Sequence, residues 1–175
     1  MIAIDFGTSR VKLAYFDPGR AEARLMELGD GQPCVPTLFY LDPDGDRLFG
    51  TAAHQMLDED PAGVIHTIKR QFRSRVVRAN RQRVPPVELV TLAFKHLRDR
   101  AGDELPVMDG VAPDRVTLTY PARFGPPEET LLRKAAQAAG FVDVELISEP
   151  EAAALAWQNQ VSVSSAEVVV VLDCG

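Results

Sequence analysis

The chain has 175 residues, 46% hydrophobic and 25% charged, with 19 Lys and Arg against 25 Asp and Glu for a net charge of −6. That is one ordinary domain or two lobes of a modest one, apolar enough to exclude wholesale disorder, and its acidic balance argues against a general nucleic-acid or membrane-surface protein. Cys34 and Cys174 cannot build a disulfide framework, the opening Met1-Ile2-Ala3-Ile4-Asp5 lacks the parts of a signal peptide, and no uncharged apolar run approaches membrane-spanning length, so a reduced, cytoplasmic setting is expected.

In chain order, residues 1–16 read as a β-hairpin, with Gly7-Thr8-Ser9-Arg10 as the turn between two apolar strands. Residues 23–28 read as a third strand. Residues 36–41 read as a fourth, closed by the turn Asp42-Pro43-Asp44-Gly45-Asp46. Leu48-Phe49-Gly50 follows, then a short helix over residues 51–57. Residues 64–83 mix apolar and basic side chains. Seven bases, Lys69, Arg70, Arg73, Arg75, Arg78, Arg81 and Arg83, fall there with no acid among them, and residues 73–83 read as an arginine-rich, solvated helix. The spacing of Val87, Leu89, Val90, Leu92, Ala93, Phe94 and Leu97 predicts a helix over residues 86–100. A strand over 115–120 ends at Pro121. A helix over 127–139 has proline in its first turn and Gly140 past its end. A strand over 142–147 leads into a helix through Trp157, where Ser148 and Glu151 have capping-box spacing.

This order predicts an α/β fold whose second half forms parallel strands with helical crossovers. Ligands of such sheets sit at the carboxyl ends of strands. Asp5, Pro121, Glu149 and Asp173 all fall at such ends or just beyond. The chain also opens and closes alike: Ile4-Asp5-Phe6-Gly7 and Leu172-Asp173-Cys174-Gly175 are both apolar runs into Asp-x-Gly. The second copy stops inside its motif. The expectation is therefore a first lobe over 1–167, with an insertion at about 35–110, and the start of a truncated second lobe over 168–175, where the apolar run 168–172 must find cover.

Gly7, Thr8 and Ser9 offer backbone N–H groups and hydroxyls that can cradle phosphate oxygens, or they form an ordinary hairpin turn. Asp5 can hold Mg²⁺ through water. Facing loops at Asp5 and Asp173 would clamp a metal–triphosphate group. Lys69 heads the basic run and can deliver one cation to a γ-phosphate. Glu149, between a strand and a helix, either orients water or a hydrated metal or favours the positive helix N-terminus. His54, His66 and His96 show no ligand spacing and read as structural.

Seven segments in order resemble the nucleotide-binding domain of the DnaK-type, seventy-kilodalton heat-shock chaperones: Ile4-Asp5-Phe6-Gly7-Thr8-Ser9, Val35-Pro36-Thr37, Gly50-Thr51-Ala52-Ala53, Ile68-Lys69-Arg70-Gln71-Phe72, Thr119-Tyr120-Pro121-Ala122-Arg123-Phe124, the run 147–157, and Val171-Leu172-Asp173-Cys174-Gly175. The resemblance implies an actin-like, ribonuclease-H-type fold that closes two lobes around Mg-ATP or Mg-ADP, this chain being the first lobe. By that match Lys69, Glu149 and Asp173 are catalytic, Gly7, Thr8 and Ser9 wrap the phosphates, Asp5 and Asp173 serve hydrated Mg²⁺, and Pro121 relays the nucleotide state. Peptide substrates and co-chaperones would engage regions beyond this chain, with no membrane or nucleic-acid partner. Two related classes remain open: filament-forming actin-like ATPases, which share the Glu-Pro-x-Ala-Ala-Ala helix, and carbohydrate kinases, which share the opening Asp-x-Gly-Thr-Ser.

Overall fold

Alternation builds the first strand. In β1 (Ile2–Phe6) the side chains of Ile2, Ile4 and Phe6 are buried, while Ala3 and Asp5 are half-buried on the other face. The computed structural model describes residues 1–29 and 31–158. β2 (Arg10–Asp17) returns antiparallel and places Leu13 opposite Ile4 and Val11 opposite Phe6. β3 (Glu22–Leu25) pairs with the far half of β2, and β4 (Cys34–Pro36) with its near half. The third strand is shorter than the expected 23–28: Met26 and Leu28 are buried outside the ladder, and only the Met26 N–H still donates to the Leu13 carbonyl.

The expected strand over 36–41 is two strands in two sheets. β4 ends at Pro36, which has no N–H to continue a ladder. Thr37 turns away to bind the first hairpin, and β5 (Phe39–Leu41) starts a separate sheet with β6 (Arg47–Phe49) and β7 (Val64–Ile65), in the order β6-β5-β7. α1 (Thr51–Glu59) packs on this small sheet around Tyr40, Ala53 and Val64.

The arginine-rich stretch is not the helix expected of it. It forms a hairpin of β8 (Val77–Ala79) and β9 (Gln82–Val84), because Val77, Ala79 and Val84 alternate into the core and Asn80 and Arg81 adopt left-handed backbone at its two-residue turn. Alternation of period two prevails there over helix-forming composition.

α2 (Pro86–Glu104) buries Leu89, Val90, Ala93, Phe94 and Leu97 and sets Phe94 edge-on against Phe6, with centroids 5.3 Å apart. Packed against it is α3 (Pro126–Ala138), which follows β10 (Arg115–Tyr120). β11 (Asp143–Ser148) leads directly into α4 (Glu149–Gln158). β1, β10 and β11 are mutually parallel, and the main sheet runs β11-β10-β1-β2-β3 with β4 joined to β2. The chain is a mixed α/β protein with a mixed sheet. Because β1, β10 and β11 run the same way, their carboxyl ends share one edge, where Asp5, Pro121 and Glu149 lie. Among the described residues no helix is long and apolar enough to cross a membrane. The run 168–172, Asp173 and Cys174 lie outside the described residues.

Candidate functional site

Lys69 reaches this edge from the segment between the small sheet and the arginine hairpin. It sits in a 3-10 turn, Ile68–Gln71, entered through Thr67 at φ 53° and anchored by the fully buried Ile68. Its side chain is 1% exposed, and its ammonium donates to Glu149 Oε1 at 3.0 Å. The nitrogen also stands 5.9 Å from the Phe6 ring centroid and 5.8 Å from that of Phe124, with Phe124 supported in turn by Phe72. Each ring face is worth up to about 2 kcal/mol to a desolvated cation. Burial nevertheless pushes the Lys69 ammonium below its ordinary value. The hydrogen bond and charge of Glu149 and the charge of Asp5 oppose that shift, and the charge of Arg123 adds to it.

Glu149 comes to Lys69 because β11 stops at Ser148 and the chain turns straight into α4, making Glu149 the first helical residue. One half of the capping box expected from the Ser148–Glu151 spacing forms, with the Glu151 N–H donating to Ser148 Oγ at 3.3 Å. Asp5 lies on the half-buried face of β1, level with Thr119 on β10, whose hydroxyl donates to Asp5 Oδ1 at 2.8 Å. One carboxylate oxygen is thereby fixed.

The turn after Asp5 is held from outside. Thr37 Oγ1 donates to the Gly7 carbonyl at 2.9 Å, and the Thr37 N–H donates to the Ser9 carbonyl at 2.9 Å. With two of its carbonyls tied down, the backbone of Gly7, Thr8 and Ser9 is fixed in place. Gly7 must be glycine, since a Cβ there would collide with the Arg10 carbonyl oxygen. Pro121 is buried at the end of β10, and its carbonyl accepts the Phe124 N–H at 2.9 Å, closing the turn that carries Arg123 and Phe124.

Of the residues singled out in the sequence, Lys69 and Glu149 are in contact, Asp5 stands near enough to act on the Lys69 charge, and Gly7 follows the Phe6 ring that Lys69 faces. Asp173 lies outside the described residues. Sequence reasoning missed Thr37, Thr119, Phe124 and Arg123. Period-two alternation puts Thr119 on the Asp5 face and was the available signal for it. Thr37 is marked only by the resemblance segment Val35-Pro36-Thr37, and no local spacing points to its partners, 28 to 30 positions away.

Among the described residues no group of three or more His, Cys, Asp or Glu is placed to ligate a metal directly. Asp5 and Glu149 are hard oxygen donors in small number. They fit Mg²⁺ kept in its water shell rather than a dedicated metal cage.

No family model matches the chain. It is 25% identical over 157 residues to the chaperone protein DnaK of Mycoplasmopsis synoviae, covering 90% of this chain and 25% of that protein. It is 25% identical over 175 residues to DnaK of Mycoplasmopsis agalactiae, covering 100% of this chain and 28% of the relative. DnaK of Elusimicrobium minutum is 29% identical over 160 residues, covering 90% and 25%. The chain thus spans about a quarter of the length of these curated relatives. The resemblance to the DnaK-type heat shock protein 70 family, carried in the sequence by ordered segments from Ile4 to Gly175, is shown by these matches across nine-tenths or more of the chain.

Proposed function

We propose that the chain is the first lobe of an actin-like, ribonuclease-H-type ATPase domain in a heat shock protein 70-like chaperone, and that it binds the phosphates of Mg-ATP at the carboxyl edge of β1, β10 and β11. The observation that carries the reading is the buried Lys69, paired with the half-buried Glu149 beside Asp5 at that edge. A buried cation of this kind is a costly way to stabilise a fold and a direct way to meet a phosphate.

In this reading Gly7, Thr8 and Ser9 wrap the β- and γ-phosphates, and Lys69 leaves Glu149 to approach the γ-phosphate. Glu149 then orients the attacking water. Asp5, and Asp173 from the second loop, hold Mg²⁺ through water. Bound there, the metal would supply neutralisation of phosphate charge. Thr119 fixes the Asp5 rotamer, and Thr37 fixes the loop. Pro121 relays the nucleotide state outward from β10. The whole protein would be a cytoplasmic chaperone, with co-chaperones and peptide substrates engaging regions beyond this chain. An isolated first lobe supplies only one side of the phosphate clamp, so weak binding and negligible hydrolysis are expected of it.

The test is titration of a fluorescent ATP analogue into the 175-residue protein with and without Mg²⁺. Binding should require Mg²⁺ and should weaken at least about tenfold in Lys69→Met, since a charge-assisted contact to phosphate is worth ~1.5–3 kcal/mol. Equal binding by the wild type and a folded Lys69→Met protein would refute the site. In the full-length protein, coupled sugar phosphorylation, or ATP-dependent light scattering, would instead favour a carbohydrate kinase or a filament.

A further inference from the structure

The β8–β9 hairpin carries a charge arrangement that nothing in the nucleotide reading uses. Arg78 and Arg83 are directly opposite each other across the ladder, both exposed. Arg81 is exposed in the turn, and Arg75 is exposed just before β8. Among the described residues no carboxylate lies within ion-pairing distance of these four. Asp60, which accepts from the turn residue Asn80, is also engaged by Tyr40, while Glu128 pairs with Arg73 and Glu88 with Arg47 at 2.8 Å.

Like charges directly opposite on a ladder destabilise it. The hairpin tolerates the pair because it is anchored from below. Val77, Ala79 and Val84 are buried, Asn80 donates to the Leu41 carbonyl at 2.8 Å, and Gln82 donates to the Asp42 carbonyl. A rigid ribbon therefore holds unneutralised guanidinium groups outward on a protein whose net charge is −6. Their planar forks match carboxylates in paired geometry. No aromatic residue lies between Arg73 and Val84 to stack a base, which disfavours single-stranded nucleic acid.

We infer that the outer face of the β8–β9 hairpin is a docking surface for a carboxylate-rich segment of a protein partner, gripped by Arg78 and Arg83 with Arg75 and Arg81 at its flanks. This surface does not depend on nucleotide binding.

The test is fluorescence anisotropy of a labelled oligo-glutamate peptide titrated with the 175-residue protein at about 50 mM salt, where exposed charges are weakly screened. Binding should be measurable and should weaken roughly tenfold or more in Arg78→Glu/Arg83→Glu. Arg78→Gln/Arg83→Gln removes the charges without adding new ones and should weaken it in the same direction if the glutamate variant fails to fold. Lys95→Glu/Lys134→Glu changes the net charge equally at exposed helical sites and should bind as the wild type does. Equal loss in that control would overturn the proposal, as would no binding by the wild type. Tighter binding of an RNA oligonucleotide of the same charge would overturn it in favour of nucleic acid.

Discussion

Replacing Lys69 by methionine should make the protein more stable. The ammonium is 1% exposed, and removing such an ion from water costs several kcal/mol even after relaxation. At 3.0 Å from Glu149 the attraction is about 5 kcal/mol at an effective dielectric of about 20, so the pair roughly breaks even. Methionine keeps the packing against Phe6 and Phe124 and drops the desolvation cost. It leaves Glu149 unpaired, but that side chain is 26% exposed and begins α4, where water and the helix terminus stabilise its charge by ~0.3–1 kcal/mol. The net gain should be about 1 kcal/mol, or roughly 2–4 °C in Tm for a chain of this size. Lys69→Ala also removes the charge but empties three methylenes of buried volume, so it should lose ~2–3 kcal/mol, or roughly 5–10 °C. Thermal melts followed by circular dichroism at neutral pH measure both. The sign of the pH dependence supplies a check. With its native value held below 10.5, Lys69 binds more protons in the unfolded chain than in the folded one across that window, so wild-type stability gains as pH rises through it. The advantage of Lys69→Met should shrink accordingly. If Lys69→Met and Lys69→Ala destabilise equally, the ammonium is a structural keystone, and the argument that it is held at a cost for phosphate fails.

Gly7→Ala should cost about 1–3 kcal/mol, because its Cβ meets the fixed Arg10 carbonyl and forces the first hairpin to shift; chemical denaturation reads the loss. Tyr40 is pushed up to about 12, first by burial and then by its 3.1 Å hydrogen bond to Asp60, so an ultraviolet titration should show one late phenol that disappears in Tyr40→Phe. Since the unfolded phenol ionises near 10, stability should fall as pH rises from about 10 to 12 in the wild type and less steeply in the variant. Glu128 is held below 4.5 chiefly by Arg73 and also accepts the Gly125 N–H at 3.1 Å. Its contribution is present above 4.5 and lost as pH falls through the depressed value, and Glu128→Gln should remove that acid limb and ~1 kcal/mol at neutral pH. Arg83→Glu converts a repelling cross-strand pair into an attracting one and should raise stability by ~0.2–1 kcal/mol, read as a higher Tm.

Where local pattern and tertiary structure agree, the elements follow from the sequence. The hairpin at 1–16, the strand at 115–120 and the capped helix after Ser148 have clear alternation or caps, and each forms with nearly its expected ends. Besides the shortened third strand, two failures have clear physical causes. Residues 36–41 look continuous in composition, but Pro36 cannot continue the ladder and Thr37 is claimed by Gly7 and Ser9. The stretch 73–83 looks like a solvated helix in composition, yet its small apolar residues fall on alternate positions and are buried as strands. Lys69 and Glu149 could be singled out individually as chemistry-bearing residues. Their direct contact across 80 positions could not be derived from spacing, because it depends on the 3-10 turn and on β11 ending flush with α4.

Among the described residues, two departures from local consistency are electrostatic. Other neighbouring choices reinforce one another: apolar residues alternate in register across β1, β2 and β10, and the start of α3 is capped by Glu128 from its own first turn and that of α4 by Ser148 just before it. A lysine closed between two phenylalanines and a pair of arginines set face to face both cost stability, and the residues around each hold it in place instead of relieving it. A fold under no demand but stability would relax either by a single substitution. The two sites also differ in how they are held. Lys69 has one carboxylate within reach and is buried, the arrangement of a cation that exchanges one anion for another. Among the described residues Arg78 and Arg83 have none within reach, and both are exposed, the arrangement of cations awaiting an anion from outside. The Lys69→Met and Arg83→Glu melts therefore probe one idea at two depths, and each should show stability gained where a binding group is removed.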